Sequence, residues 1–157
     1  MGIEIPTTEA PFQYIIGKSA WGLKRTYGSM FFLEFGTPTP RPNTKKTHGE
    51  WHILVEYCFW RFESGGDVIV SADSEASEID KIFSSLNLEQ VTGGAIENRR
   101  GDSSIFFATG VVLKIFPPAP SPEEGEDQWT LYGPGKDYYA MAGDGSLRKS
   151  VEQSSPH

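Results

Sequence analysis

An α+β fold is what this sequence predicts: a mostly antiparallel β sheet or open roll of about eight strands, with one amphipathic helix packed on it. Three observations carry that expectation. Aromatic residues make up 13% of the 157-residue chain, and aromatics favour half-buried, pleated surfaces. Short runs alternate apolar and polar residues with period two along most of the length, as strands with one buried face do. A single stretch, 73–87, repeats its apolar residues at helical spacing,.

Residues 12–16 and 21–24 read as the first short strands. In 30–35, Phe31, Leu33 and Phe35 alternate with Met30, Phe32 and Glu34,. Segment 37–49 holds Pro38, Pro40 and Pro42 and reads as an extended loop, because alternate prolines deny it both helix and central strand. The longest run is 50–63. It places Trp51, Ile53, Val55, Tyr57 and Phe59 on one face and Glu50, His52, Leu54, Glu56, Cys58, Trp60 and Phe62 on the other, the pattern of one long central strand. A Ser64-Gly65-Gly66-Asp67 turn then makes 50–72 a hairpin,.

Asp73 and Ser74 are the expected helix caps, and Glu75, Glu78 and Asp80 suit the positive end of the helix dipole,. Ile79, Ile82, Phe83 and Leu86 form the apolar stripe, with Asn87 as the stop,. Strands at 90–97 and 103–109 flank a hairpin turn at 98–102,. After 111–116 comes a second Pro-rich segment, acidic, at 117–126; strands at 128–132 and 138–142 and a turn at 143–145 close the domain. The reading is one globular domain over 12–149, with flexible tails at 1–11 and 150–157.

Lys and Arg number 14 against 21 acidic residues, a net charge of −7. That balance argues against nucleic acid, whose phosphates need cations, and suits a basic protein partner. The single cysteine, Cys58, excludes an intrachain disulfide and a paired-cysteine zinc site. Residues 1–11 have no basic start followed by an apolar run, and no apolar run approaches the roughly 18 residues of a membrane span. The expected location is cytoplasmic, with no membrane contact.

Chemistry concentrates on the second face of the 50–63 run. Glu50, His52, Glu56 and Cys58 share it, and parity adds Glu34 from the 30–35 strand. Acid, imidazole and thiol are the groups of metal ligation and acid–base work. Alternate residues stand about 6.6 Å apart and His52 and Glu56 about 13 Å, so neighbouring pairs can share an ion but the whole set cannot. His48 and His52 are spaced as a helical metal pair would be, but His48 falls in the expected loop, so that logic fails. The third histidine, His157, is in the tail. Gly101-Asp102-Ser103 has a hydrolase-like look but sits in a tight turn before a strand, without a triad partner,. No phosphate-binding glycine pattern occurs. The two Pro-rich segments carry opposite charges, Arg41, Lys45, Lys46 and His48 against Glu123, Glu124, Glu126 and Asp127, and form a second candidate surface. Trp60 is the candidate exposed anchor of an interface.

The run from Gly49-Glu50-Trp51-His52 to Trp60-Arg61-Phe62 resembles the strand signature of a family of small uncharacterised bacterial proteins, a domain of unknown function. Gly28-Ser29-Met30-Phe31, the Ser/Asp-rich helix start and Trp129-Thr130-Leu131 are similar too, so the likeness spans about residues 18–147. That family has no activity to carry over, and no residue inherits a role. Domains of this style resemble immunity proteins of toxin systems, which bind and block a partner. The resulting expectation is a non-catalytic protein-binding module, more an interaction protein than an enzyme, with no cofactor and no metal. Its binding residues would be Glu34, Glu50, His52, Glu56, Cys58 and Trp60, and a homodimer through a sheet edge is compatible with it. The alternative is a small enzyme or metal-binding protein using the polar face of 50–63.

Overall fold

The computed structural model describes residues 11–40, 47–117, 127–135, 137–142 and 145–149. Among the described residues, thirteen strands and one α-helix follow a short 3₁₀ turn at Phe12–Tyr14. The strands are β1 (Ala20–Arg25), β2 (Phe31–Phe35), β3 (Thr39–Pro40), β4 (Thr47–His48), β5 (Trp51–Val55), β6 (Phe59–Ser64) and β7 (Asp67–Ser71). After α1 (Ala76–Ser85) come β8 (Val91–Ile96), β9 (Ser103–Phe107), β10 (Val111–Phe116), β11 (Asp127–Tyr132), β12 (Tyr138–Ala142) and β13 (Leu147–Lys149). The mostly antiparallel α+β expectation holds, with more and shorter strands.

Two sheets carry the fold. One has the order β1-β2-β5-β11-β12-β13, the other β7-β6-β10-β9-β8, and β3 pairs with β4 in a small separate ladder. They meet at a corner where Ser19 bridges Gln90, the Ala20 N–H donates to the Glu89 carbonyl at 2.8 Å and the Val91 N–H to the Lys18 carbonyl at 2.9 Å. The core lies between them. Phe31, Leu33, Phe35, Ile53, Val55 and Leu131 face it from the larger sheet, and Trp60, Phe62, Ile105, Leu113 and Ile115 from the smaller. Phe31 binds the two layers together, its ring 4.9 Å from Trp60 and 5.4 Å from Phe83 of α1. Helix α1 buries Ile79 and Phe83 and packs on β1 and β7, closing the core. On its outer side Asp80 accepts two bonds from the Arg25 guanidinium, at 2.8 and 2.9 Å.

The 50–63 run is not one strand. It breaks at Glu56–Cys58 into β5 and β6, which belong to different sheets. The corner is held by the Glu56 N–H donating to the Gln128 carbonyl at 2.8 Å and the Cys58 N–H donating to Glu56 at 3.0 Å. It changes the parity of burial. Trp51, Ile53 and Val55 point inward on β5, whereas Trp60 and Phe62 do so on β6, and Tyr57, assigned inward by alternation, is 48% exposed. Period two continues only while a strand does. Trp60 is therefore no exposed anchor. It is fully buried, and its indole N–H donates to the Ser29 carbonyl at 2.7 Å.

Smaller departures have local causes. Residues 12–16 make the 3₁₀ turn, with Phe12 and Ile15 both fully buried, and not a strand. The helix cap is Glu75; the Ser74 hydroxyl accepts the Ser71 N–H at 3.1 Å, so its capping oxygen is turned to the preceding chain. The expected loop at 37–49 includes the paired β3 and β4, since Pro40 sits in a two-residue ladder whose other side is open,. Of the expected tails, Pro11 is buried, and 1–10 and 150–157 lie outside the described residues. Among the described residues no helix is long and apolar enough to cross a membrane.

Candidate metal centre

The outward face of the larger sheet brings together Glu34, His48 and His52. Glu34 on β2 and His52 on β5 are direct cross-strand partners. Both alternate with core residues, so the same parity that buries Leu33, Phe35, Trp51 and Ile53 turns these two to the far side,. The third member comes from the β3–β4 ladder. His48 ends β4, one residue before Gly49, and the chain folds there so that its ring lies over His52 at 4.3 Å between centroids and 16° between planes.

Glycine makes that approach possible. The backbone of Gly49 presses on the backbone of Phe35, and a Cβ at Gly49 would collide with the Phe35 carbonyl and lie 2.8 Å from its nitrogen. The same contact lets the Gly49 N–H donate to Glu34 Oε1 at 2.8 Å. From the opposite side Gly22, on the β1 bulge, covers the Glu34 stem: a Cβ there would stand 2.8 Å from Glu34 Cγ. Glu34 is thus 5% exposed and held in one orientation. A buried carboxylate requires such partners, since stripping its water is costly.

His48 Nδ1 lies 3.1 Å from Glu34 Oε2 and 3.3 Å from Oε1, and His52 Nδ1 lies 3.9 Å from Oε1. One ligand atom from each of the three residues falls within 4.8 Å of the others. Tyr132 of β11 stacks on the His52 ring, 5.0 Å away, while Phe32 lies 5.7 Å from His52 and 6.2 Å from His48. The site is two imidazoles and one carboxylate in an aromatic setting, with the His48 side chain the most exposed of the three at 22%.

The other predicted residues do not join it. Glu50 turns away to Lys18 Nζ at 3.0 Å and the Thr37 N–H at 3.2 Å, and these bonds hold its carboxyl below the usual range. Cys58, at the β5–β6 corner, donates its thiol to the Gln128 carbonyl at 3.3 Å; burial and then the nearby Glu56 push its pKa from 9.0 to about 12, so it is a neutral thiol,. Glu56 follows the other end of β5. Trp60 is core. Ser103 is 1% exposed and donates to the Gly101 carbonyl at 2.9 Å, as a turn residue and not a nucleophile. Of the second candidate surface, His48 belongs to the cluster and Asp127 opens β11, while Arg41, Lys45, Lys46, Glu123, Glu124 and Glu126 lie outside the described residues.

Alternation and parity led to Glu34 and His52 but not to His48. The signal was present in the H-x-x-x-H spacing and in the glycine between; reading them required knowing that β4 folds back onto the sheet. No protein-family model, no curated protein and no solved structure matches the chain.

Proposed function

We propose that this protein binds a divalent transition-metal ion through Glu34, His48 and His52. One observation carries the reading: three side chains with ligating atoms, from three strands, converge to within 4.8 Å beside the rings of Phe32 and Tyr132. Two imidazoles with one carboxylate suit zinc, iron, cobalt or nickel better than magnesium or calcium, which prefer all-oxygen sets. The Gly49 N–H on Glu34 Oε1 supports it as well, because an outer bond of that kind orients a ligating carboxylate and leaves its second oxygen for the ion,. The sequence expectation named no metal, so the proposal departs from it in favour of the alternative.

Metal–ligand bonds of about 2.1 Å set neighbouring ligand atoms about 3.4 Å apart in a tetrahedral site. The cluster must therefore contract, and the His48 imidazole, the most exposed member, is the one with room to tilt out of its stack. Binding through His48 Nδ1 replaces its contact with the Glu34 carboxylate by a bond to the ion.

Calorimetric titration with Zn²⁺ tests this. The expected result is one ion per chain, weakened at least tenfold in His48→Ala and in His52→Ala. Absence of stoichiometric binding to the wild-type protein overturns the proposal and leaves the cluster as a hydrogen-bonded latch between β2, β4 and β5.

A further inference from the structure

Resting on that metal-binding reading, we infer that the centre leaves a coordination position open for an exogenous ligand, and that this ligand is a small carboxylate with an apolar or aromatic body. Among the described residues the group of potential ligands stops at three. Two further candidates from the sequence are committed elsewhere: Glu50 to Lys18 and Thr37, and the Cys58 thiol to the Gln128 carbonyl. Three protein ligands are one short of a closed tetrahedral site, and a centre of this kind completes its shell with water or a substrate atom.

Charge selects the class of ligand. A divalent ion with one carboxylate and two neutral imidazoles carries a net charge of +1, which attracts a monoanion. The carboxylate of Glu34 is already inside, 5% exposed, whereas the His48 side chain is the most exposed of the three, at 22%. An arriving anion therefore meets the metal from that side. The surroundings select its body. Phe32 flanks both imidazoles, and Tyr132, 36% exposed, stacks on His52. These rings give an apolar flank to whatever the metal holds, and burial of a flat hydrocarbon against them adds affinity that a bare anion lacks. Pockets of mixed character, with an apolar wall and a few convergent polar groups, are the usual form of small-molecule sites.

The test uses the full chain loaded with Co²⁺, whose visible spectrum reports its ligands, titrated with sodium acetate and with sodium benzoate. Both anions are expected to change the cobalt bands, with benzoate about tenfold tighter than acetate, as shielding one ring face gives. Phe32→Ala, which removes part of the flank but no ligand, is expected to bring benzoate to within about twofold of acetate while cobalt binding stays stoichiometric. Stoichiometric cobalt whose spectrum neither anion alters overturns this inference and leaves the metal-binding reading standing. Equal affinity for the two anions in the wild-type protein overturns the assignment of the ligand's body. Failure to take up cobalt or zinc at all overturns the metal-binding reading itself, and this inference with it.

Discussion

Strands β5 and β6 come from one alternating run, yet their outward faces reach different ends. On β5 the outward His52 meets Glu34 across the ladder and His48 from above. On β6 the outward Arg61 and Glu63 pair with each other two residues apart, and the Arg61 guanidinium lies 4.9 Å over the Phe116 ring of β10. Alternation supplies polar groups to both faces. Convergence needs another element folded over the face, and β4 provides it for β5, with the Gly49 fold-back setting the distance. Charged pairs along an exposed strand are solvated and contribute little; groups drawn together under a covering element lose water and gain definite geometry.

The largest expected effect tests the change of parity between the two strands. Trp60→Ala is expected to cost about 3–5 kcal/mol in urea unfolding, because it opens a cavity in the centre of the core. Tyr57→Ala is expected to stay within about 0.5 kcal/mol, as an exposed corner residue should. Equal losses at the two positions would break the comparison, since a continuous strand would bury Tyr57.

Gly49→Ala comes next. The added methyl group meets backbone that cannot swing aside, so a loss of about 1–3 kcal/mol is expected, together with at least tenfold weaker Zn²⁺ binding as His48 is pushed off Glu34. A Gly49→Ala protein with unchanged zinc affinity would show that the fold-back does not position the centre.

The corner between the strands has its own pH signature. The Cys58 thiol has its pKa raised to about 12 in the folded chain against an ordinary 9.0, so between these values the folded state retains a proton that the unfolded state has lost. Stability contributed by the buried thiol is thus complete below pH 9 and is lost as pH rises toward 12, by about 1.4 kcal/mol per unit. Thermal melts of the wild-type protein and Cys58→Ala across this range should diverge above pH 9 and run parallel below it. Parallel curves throughout would place the thiol in contact with solvent.

The smallest effect is on β6. Glu63→Gln is expected to change stability by less than about 0.5 kcal/mol and Zn²⁺ affinity not at all. A measurable loss of zinc binding there would mean that the two faces are coupled, and the contrast drawn between them would fail.

Much of this was legible in the residues. The alternation of Phe31, Leu33 and Phe35, the stripe Ile79–Phe83, the Gly65-Gly66 hairpin and the turn before Ser103 are local patterns, each readable because its period is set by backbone geometry. Parity also placed Glu34 and His52 on one outward face. What remained hidden was non-local. Nothing in the alternation of 50–63 marks the corner at Glu56–Cys58, because the break is held by the Gln128 carbonyl of β11, far along the chain. Trp60 looks the same in sequence whether it faces solvent or core. His48 looks like a loop residue until Gly49 is seen resting on Phe35.

By itself, then, the sequence determined the strand and helix periods, the buried trio of β2 and the acidic surface, since these depend on a residue and its near neighbours. The tertiary structure alone decided which faces meet and which side chains converge. Both depend on strand pairing and sheet closure, where contacts between distant segments outweigh the local preference of any one of them.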